Sequence, residues 1–224
     1  MRTNYEIRKT GRFALRGNLD VVLGILILIS VIEFVASLVL IAVPFLLLIP
    51  ALILTPAFTL SQSKMFIMMV RGDRPTGRSA FYGFYDFWAA FKVLFLMALY
   101  VFLWSLLFIV PGIIKAFSYS QALNILADNP GMPANEAIAR SEAMMRGHKT
   151  QYLSLILSFI GWIILGIFTF GILYLWLIPY MLTSSATFYC ELLYHYTGNN
   201  APPYANPTSP FAENIEEFED LPNE

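Results

Sequence analysis

Charge is almost absent from three long stretches of this chain, and nothing else in the sequence constrains its fold as strongly. Residues 21–63 carry one charge, Glu33; residues 93–127 carry one, Lys115; residues 150–190 carry none. A helix that crosses a bilayer needs ~20 apolar residues, so each stretch is long enough for two crossings. Unpaired backbone is not tolerated in lipid, so each stretch is expected to fold as a helical hairpin. The composition agrees: 58% of residues are hydrophobic and 13% charged, whereas a soluble domain carries ~25% charged residues. A soluble globular fold is excluded.

The expected fold is therefore all-α. It is a polytopic membrane protein with six transmembrane helices arranged as three hairpins, near 20–43, 46–70, 90–110, 112–128, 151–169 and 172–196. Breakers fall where turns are needed: Pro44 and Pro50, then Pro111-Gly112, then Gly171 with Pro179 beyond it. The fourth helix is short and polar, which leaves spanning, re-entrant and interfacial placements open.

Lys and Arg gather in cytoplasmic segments. With the N-terminus inside, six helices place Arg2, Arg8, Lys9, Arg12, Arg16, Lys64, Arg71, Arg74, Arg78, Lys92, Arg140, Arg146 and Lys149 there. Only Lys115 disagrees. Both termini are then cytoplasmic, and the expected location is the plasma membrane. The polar, basic N-terminus with its long apolar run does not resemble a cleaved signal peptide.

The hairpins resemble one another. Ala57-Phe58-Thr59-Leu60-Ser61-Gln62 is echoed by Ala116-Phe117-Ser118-Tyr119-Ser120-Gln121, and more weakly by Ala186-Thr187-Phe188-Tyr189-Cys190-Glu191. Basic or amphipathic lead-ins at 12–16, 77–87 and 133–149 precede the hairpins. In the last, Ala134, Ala137, Ile138, Ser141, Met144 and Met145 form a stripe at helical spacing, expected to lie on the cytoplasmic face. A threefold repeat over 1–72, 73–130 and 131–197 follows, within one transmembrane domain 1–197. It would bring Gln62, Gln121 and Glu191 to one level. Such a polar layer either lines a vestibule or holds packed helices together by hydrogen bonds.

Ionisable groups inside a span are costly and mark candidate sites. Glu33 and Lys115 are each alone in their stretch, so an ion pair between them is the economical expectation. A protonated Glu33 and an ion-coupling site are the alternatives. His148 and His195 fit the membrane surface, and with a lone Cys190 they have no metal-site spacing. No phosphate loop, nucleophile elbow or HExxH pattern occurs. No enzyme activity, cofactor, metal or nucleic-acid partner is expected.

Residues 198–224 are rich in proline and hold Glu213, Glu216, Glu217, Glu219, Asp220 and Glu224 without a base. This composition predicts a disordered cytoplasmic tail suited to a protein partner or to the basic face of the body. The bilayer is the other expected partner.

The string Phe108-Ile109-Val110-Pro111-Gly112-Ile113-Ile114-Lys115, with Tyr119-Ser120 and Asp128-Asn129-Pro130, resembles an uncharacterised family of bacterial integral membrane proteins, the domain of unknown function 975. The likeness continues through Glu136-Ala137-Ile138, Ser141, Met144-Met145, Gly147-His148-Lys149, Ser158 to Trp162, Thr169, Gly171-Ile172, Pro179-Tyr180 and Phe188-Tyr189. It spans residues 1–197 and is densest from 104 to 190. The resemblance implies a polytopic bacterial membrane protein and brings no activity, substrate or cofactor. Two functions fit: a non-enzymatic membrane scaffold or accessory protein, and a small-solute or ion transporter using the intramembrane polar residues. Scarcity of polar groups favours the scaffold.

Overall fold

Leucine, isoleucine and phenylalanine runs propagate as helix when nothing punctuates them, and this chain has few interruptions. The computed structural model describes residues 3–16, 19–40, 48–169 and 173–198. Its helices are α1 (Asn4–Arg16), α2 (Leu19–Leu40), α3 (Leu48–Val70), a 3₁₀ segment (Gly77–Phe84), α4 (Phe87–Leu107), α5 (Ile109–Tyr119), α6 (Ala122–Asp128), α7 (Ala134–Met144), α8 (Lys149–Leu157), α9 (Ile160–Phe168) and α10 (Tyr174–Thr197). No strand occurs among the described residues. Pro44, Gly171 and the acidic tail beyond Gly198 lie outside them.

Two segments are long and apolar enough to cross a membrane: α4, with a mean hydropathy of 2.1, and α8 with α9 over Lys149–Phe168, at 2.0. The pair α1–α2, bent by 88°, is a third candidate. Their surfaces explain the composition. Phe102, Leu106, Ile109, Ile113, Ile164 and Phe168 are all exposed. Apolar surface this continuous suits hydrocarbon rather than water, which makes the protein membrane-associated.

One break differs from that expected. The turn between α4 and α5 is at Phe108, whose backbone is extended (φ −157°, ψ 141°), three residues before Pro111. Pro111 sits in the first turn of α5, where a missing N–H costs nothing. Gly112 is there for closeness instead: a Cβ on it would meet Ser105 Oγ at 2.0 Å. Pro179 lies inside α10, within the helix expected over 172–196.

The short fourth helix is in fact two. Between α5 and α6, the Ser141 hydroxyl of α7 donates to Ser118 O (2.8 Å) and accepts from Gln121 N (3.2 Å). One buried side chain thus serves two backbone groups that the bend frees. Ser141→Ala is expected to cost about 2–4 kcal/mol, because it leaves a donor and an acceptor buried without partners. Chemical or thermal unfolding in detergent micelles checks this, and a loss below ~0.5 kcal/mol would overturn the account.

The expected α7 stripe is buried at all of its positions, from Ala134 to Met145. It covers protein rather than lipid, because α7 packs on α4, α5 and α6. Small side chains and the two-way Ser141 bond let it enter the bundle. The other lead-ins behave alike: α1 packs on α10, and the 3₁₀ segment on α3. At the first contact, a Cβ on Gly11 would lie 3.0 Å from Ser184 Oγ. At the second, Gly83 presses on the Ala57 carbonyl and donates its N–H to Ser61 Oγ at 2.8 Å. Helix α10 keeps its buried hydroxyls paired along its own axis: Thr183, Ser184 and Thr187 donate to the carbonyls of Pro179, Tyr180 and Thr183. It ends at Gly198, in the left-handed region at φ 64°, the usual helix stop.

Candidate functional site

Polar groups in the interior meet where α3, α6 and α10 converge. Arg71, just past α3, reaches Asp128 at the end of α6 with both guanidinium ends, at 2.8 and 2.5 Å. Tyr189, fully buried on α10, donates its hydroxyl to Asp128 Oδ2 at 3.0 Å. The Asp128 side chain is 8% exposed and Arg71 32%. Burial alone would lower the Arg71 pKa, but the hydrogen bond to Asp128 and the surrounding negative groups together outweigh it, so the pKa stands above the usual arginine value. A bidentate, charge-assisted pair of this kind fixes orientation as well as energy. One carboxylate thereby ties together three helices that are distant in sequence.

Sequence reasoning did not find this cluster. The signal it offered was indirect: Arg71 and Asp128 each lie a short way past one copy of the Ala-Phe-x-x-Ser-Gln string, with opposite charge.

Of the residues singled out from sequence, Gln121 is fully buried. Its amide donates to Ser120 Oγ (3.2 Å) and accepts from Asn124 Nδ2 (2.8 Å). Glu191 is buried and lies 3.4 Å from His195 Nε2, one turn along α10. Gln62 is half-buried on α3. The side chains of Gln121 and Glu191 thus each meet a neighbour close in sequence.

Lys115 donates to Glu142 Oε1 of α7 at 2.6 Å. Its ammonium also lies over the rings of Trp104 (5.3 Å) and Tyr119 (5.6 Å). The side chain of Glu33 lies outside the described residues. His148 caps α8. Burial, then the nearby charge of His195, holds its pKa below the ordinary histidine value. Among the described residues no group of three His, Cys, Asp or Glu side chains converges as a metal site would.

A second feature lies at the joint between the 3₁₀ segment and α4. There a cavity of about 740 Å³ opens between the residues from Phe84 to Lys92 and those from Gly131 to Ala134. Tyr82 closes the nearby interior: its hydroxyl is buried without a hydrogen bond, and burial, then Asp86 and Asp128, raises its pKa.

Neither the curated proteins nor the solved structures contain a match to this chain. The family comparison does: one family model covers residues 1–118 and 109–195, which include the whole converging cluster and the cavity. The chain belongs to the family described as Protein of unknown function (DUF975).

Proposed function

We propose that this protein is a six-crossing membrane scaffold or accessory protein without enzymatic activity, located in a bacterial plasma membrane with both termini in the cytoplasm. The observation that carries the reading is how the interior polar groups are used. Arg71, Asp128 and Tyr189 bind one another, Ser141 closes the α5–α6 bend, and Ser61 holds Gly83. A transporter needs polar groups free to line a path, and here they are spent on joining helices.

The lead-in contacts support a threefold repeat of hairpins. Each lead-in rests on the return helix of the preceding hairpin, and α1 rests on the last, α10. Such a closed ring is a rigid platform. In this reading the acidic segment from Glu213 to Glu224 recruits a basic protein partner.

Single cysteines introduced in a Cys190→Ser background test the topology and the packed centre together. Cysteines at positions 44, 109 and 172 should react only from outside, and those at 75 and 131 only from inside. Cysteines at 62 and 121 should resist reagent from either side. Labelling at 62 and 121 that continues to one surface would replace the scaffold with a transport path. Deleting residues 199–224 should leave the stability of the bundle within about 0.5 kcal/mol and remove partner capture. Loss of the fold on that deletion would refute a tail that serves recruitment alone.

A further inference from the structure

The cavity beside α4 holds two opposite charges that the fold leaves unused. Asp86 stands at the N-cap of α4, where an aspartate normally accepts from the first-turn N–H groups. It makes no such bond. Lys92 lies further along the same helix and is exposed. Among the described residues neither side chain has an ion-pair partner, although both line the same cavity. Lys92 is exposed and Asp86 half-buried, so both are open to a ligand that enters the cavity. Two unpaired charges of opposite sign at one cavity suit a zwitterion.

The rest of the lining specifies where that zwitterion resides. Tyr85 and Trp88 stand at the mouth, 88% and 68% exposed. Tyrosine and tryptophan collect at the headgroup level of bilayers, where one end of the ring is apolar and the other wet. Lys92 is five residues beyond Phe87, so about 7.5 Å along a helix that is long and apolar enough to cross the membrane. Residues 88, 89 and 92 fall on one face of α4, and Tyr85 just precedes that helix, so they share the cavity. The opposite wall is Gly131 to Ala134, leading into α7. Pro133 precedes that helix and offers no side-chain cap, so its positive end adds to the field of Lys92.

We infer that this cavity binds the headgroup of a zwitterionic aminophospholipid of the phosphoethanolamine type. Lys92 meets the phosphate. Asp86 accepts hydrogen bonds from the primary ammonium, and the faces of Trp88 and Tyr85 lie against the same cation. A net-anionic headgroup would meet Asp86 unfavourably. A trimethylammonium headgroup could stack on the rings but could not donate to the carboxylate. The inference rests on α4 crossing the bilayer, and the cysteine labelling above tests that separately.

Native mass spectrometry of the full chain in detergent, titrated with phosphatidylethanolamine, phosphatidylglycerol and phosphatidylcholine of matched acyl chains, decides the matter. The expected result is one discrete phosphatidylethanolamine adduct, tighter than either other lipid. Asp86→Asn and Lys92→Gln should each weaken it by about tenfold, the loss of one charge-assisted hydrogen bond. Asp86→Asn should also move the preference toward phosphatidylglycerol. Each variant is compared at an unfolding midpoint equal to that of the parent chain. Should one variant fail that criterion, the other and Trp88→Leu carry the comparison. Equal binding of all three lipids, or a preference for phosphatidylglycerol that Asp86→Asn leaves unchanged, overturns the proposal. Soluble phosphoethanolamine should compete weakly, since it lacks acyl chains. Competition equal to that of the lipid would assign the cavity to a free solute instead.

Discussion

Asp128→Ala is expected to lower the unfolding free energy by about 3 kcal/mol, measured by denaturant or thermal unfolding in detergent micelles. Removing the carboxylate leaves the Arg71 guanidinium without its counter-charge and the buried Tyr189 hydroxyl without an acceptor. Breaking a fully buried pair costs ~3–5 kcal/mol. The lower end applies because Arg71 is 32% exposed and water screens part of its charge. Asp128→Asn should fall between parent and alanine variant, because an amide oxygen can still accept from Tyr189. Tyr189→Phe alone should cost about 1 kcal/mol. The double change Arg71→Met with Asp128→Leu should recover much of the loss, since removing both charges removes the penalty of leaving one alone. An Asp128→Ala variant within ~0.5 kcal/mol of the parent would show that the cluster holds nothing together.

Gly83→Ala is expected to be at least as damaging, and for a different reason. The new Cβ would sit 1.9 Å from the Ala57 carbonyl oxygen and 2.7 Å from its carbon, both backbone atoms that cannot rotate away. The 3₁₀ segment must lift off α3, breaking the Gly83 N–H to Ser61 Oγ bond. It would also disturb the edge-on contact of Phe84 with Phe58, whose rings are 5.4 Å apart. Overpacking and a buried unpaired N–H together come to about 3–5 kcal/mol. Gly77→Ala is the control, because nothing lies within 4 Å of a Cβ there. Equal stability of the two variants would mean that the close approach is not what holds the segment.

Comparing these elements with the sequence shows what patterning can and cannot carry. The α7 stripe was legible because helical spacing of apolar and small residues is a local property, and every one of its positions is buried. What the stripe covers was not legible, since spacing describes one surface and says nothing of the other. The same limit applies to charge. Counting isolation along the chain pairs Lys115 with Glu33, whose side chain lies outside the described residues, and passes over Glu142, which sits in a segment rich in charge where no single carboxylate stands out. Pro111 and Gly112 read as a turn because both residues favour turns. Here one occupies a first helical turn and the other admits Ser105, roles that depend on a neighbour rather than on the local string. The Arg71–Asp128–Tyr189 cluster required the ends of α3 and α6 and the interior of α10 to be known at once.

The contact between α1 and α10 also sets an order of events during biosynthesis. Helix α1 is made well before α10, the helix against which its buried face, with Ile7, Gly11, Ala14 and Leu15, mainly packs. At ~5–20 residues per second, translation delays that partner by on the order of ten seconds or more. Through that interval the nascent chain carries an amphipathic helix without the partner that covers most of it, so the adjacent lipid surface must shelter the rest. Closure by α10 is then the committing step of assembly, and a truncated product lacking that helix is left open at its first one.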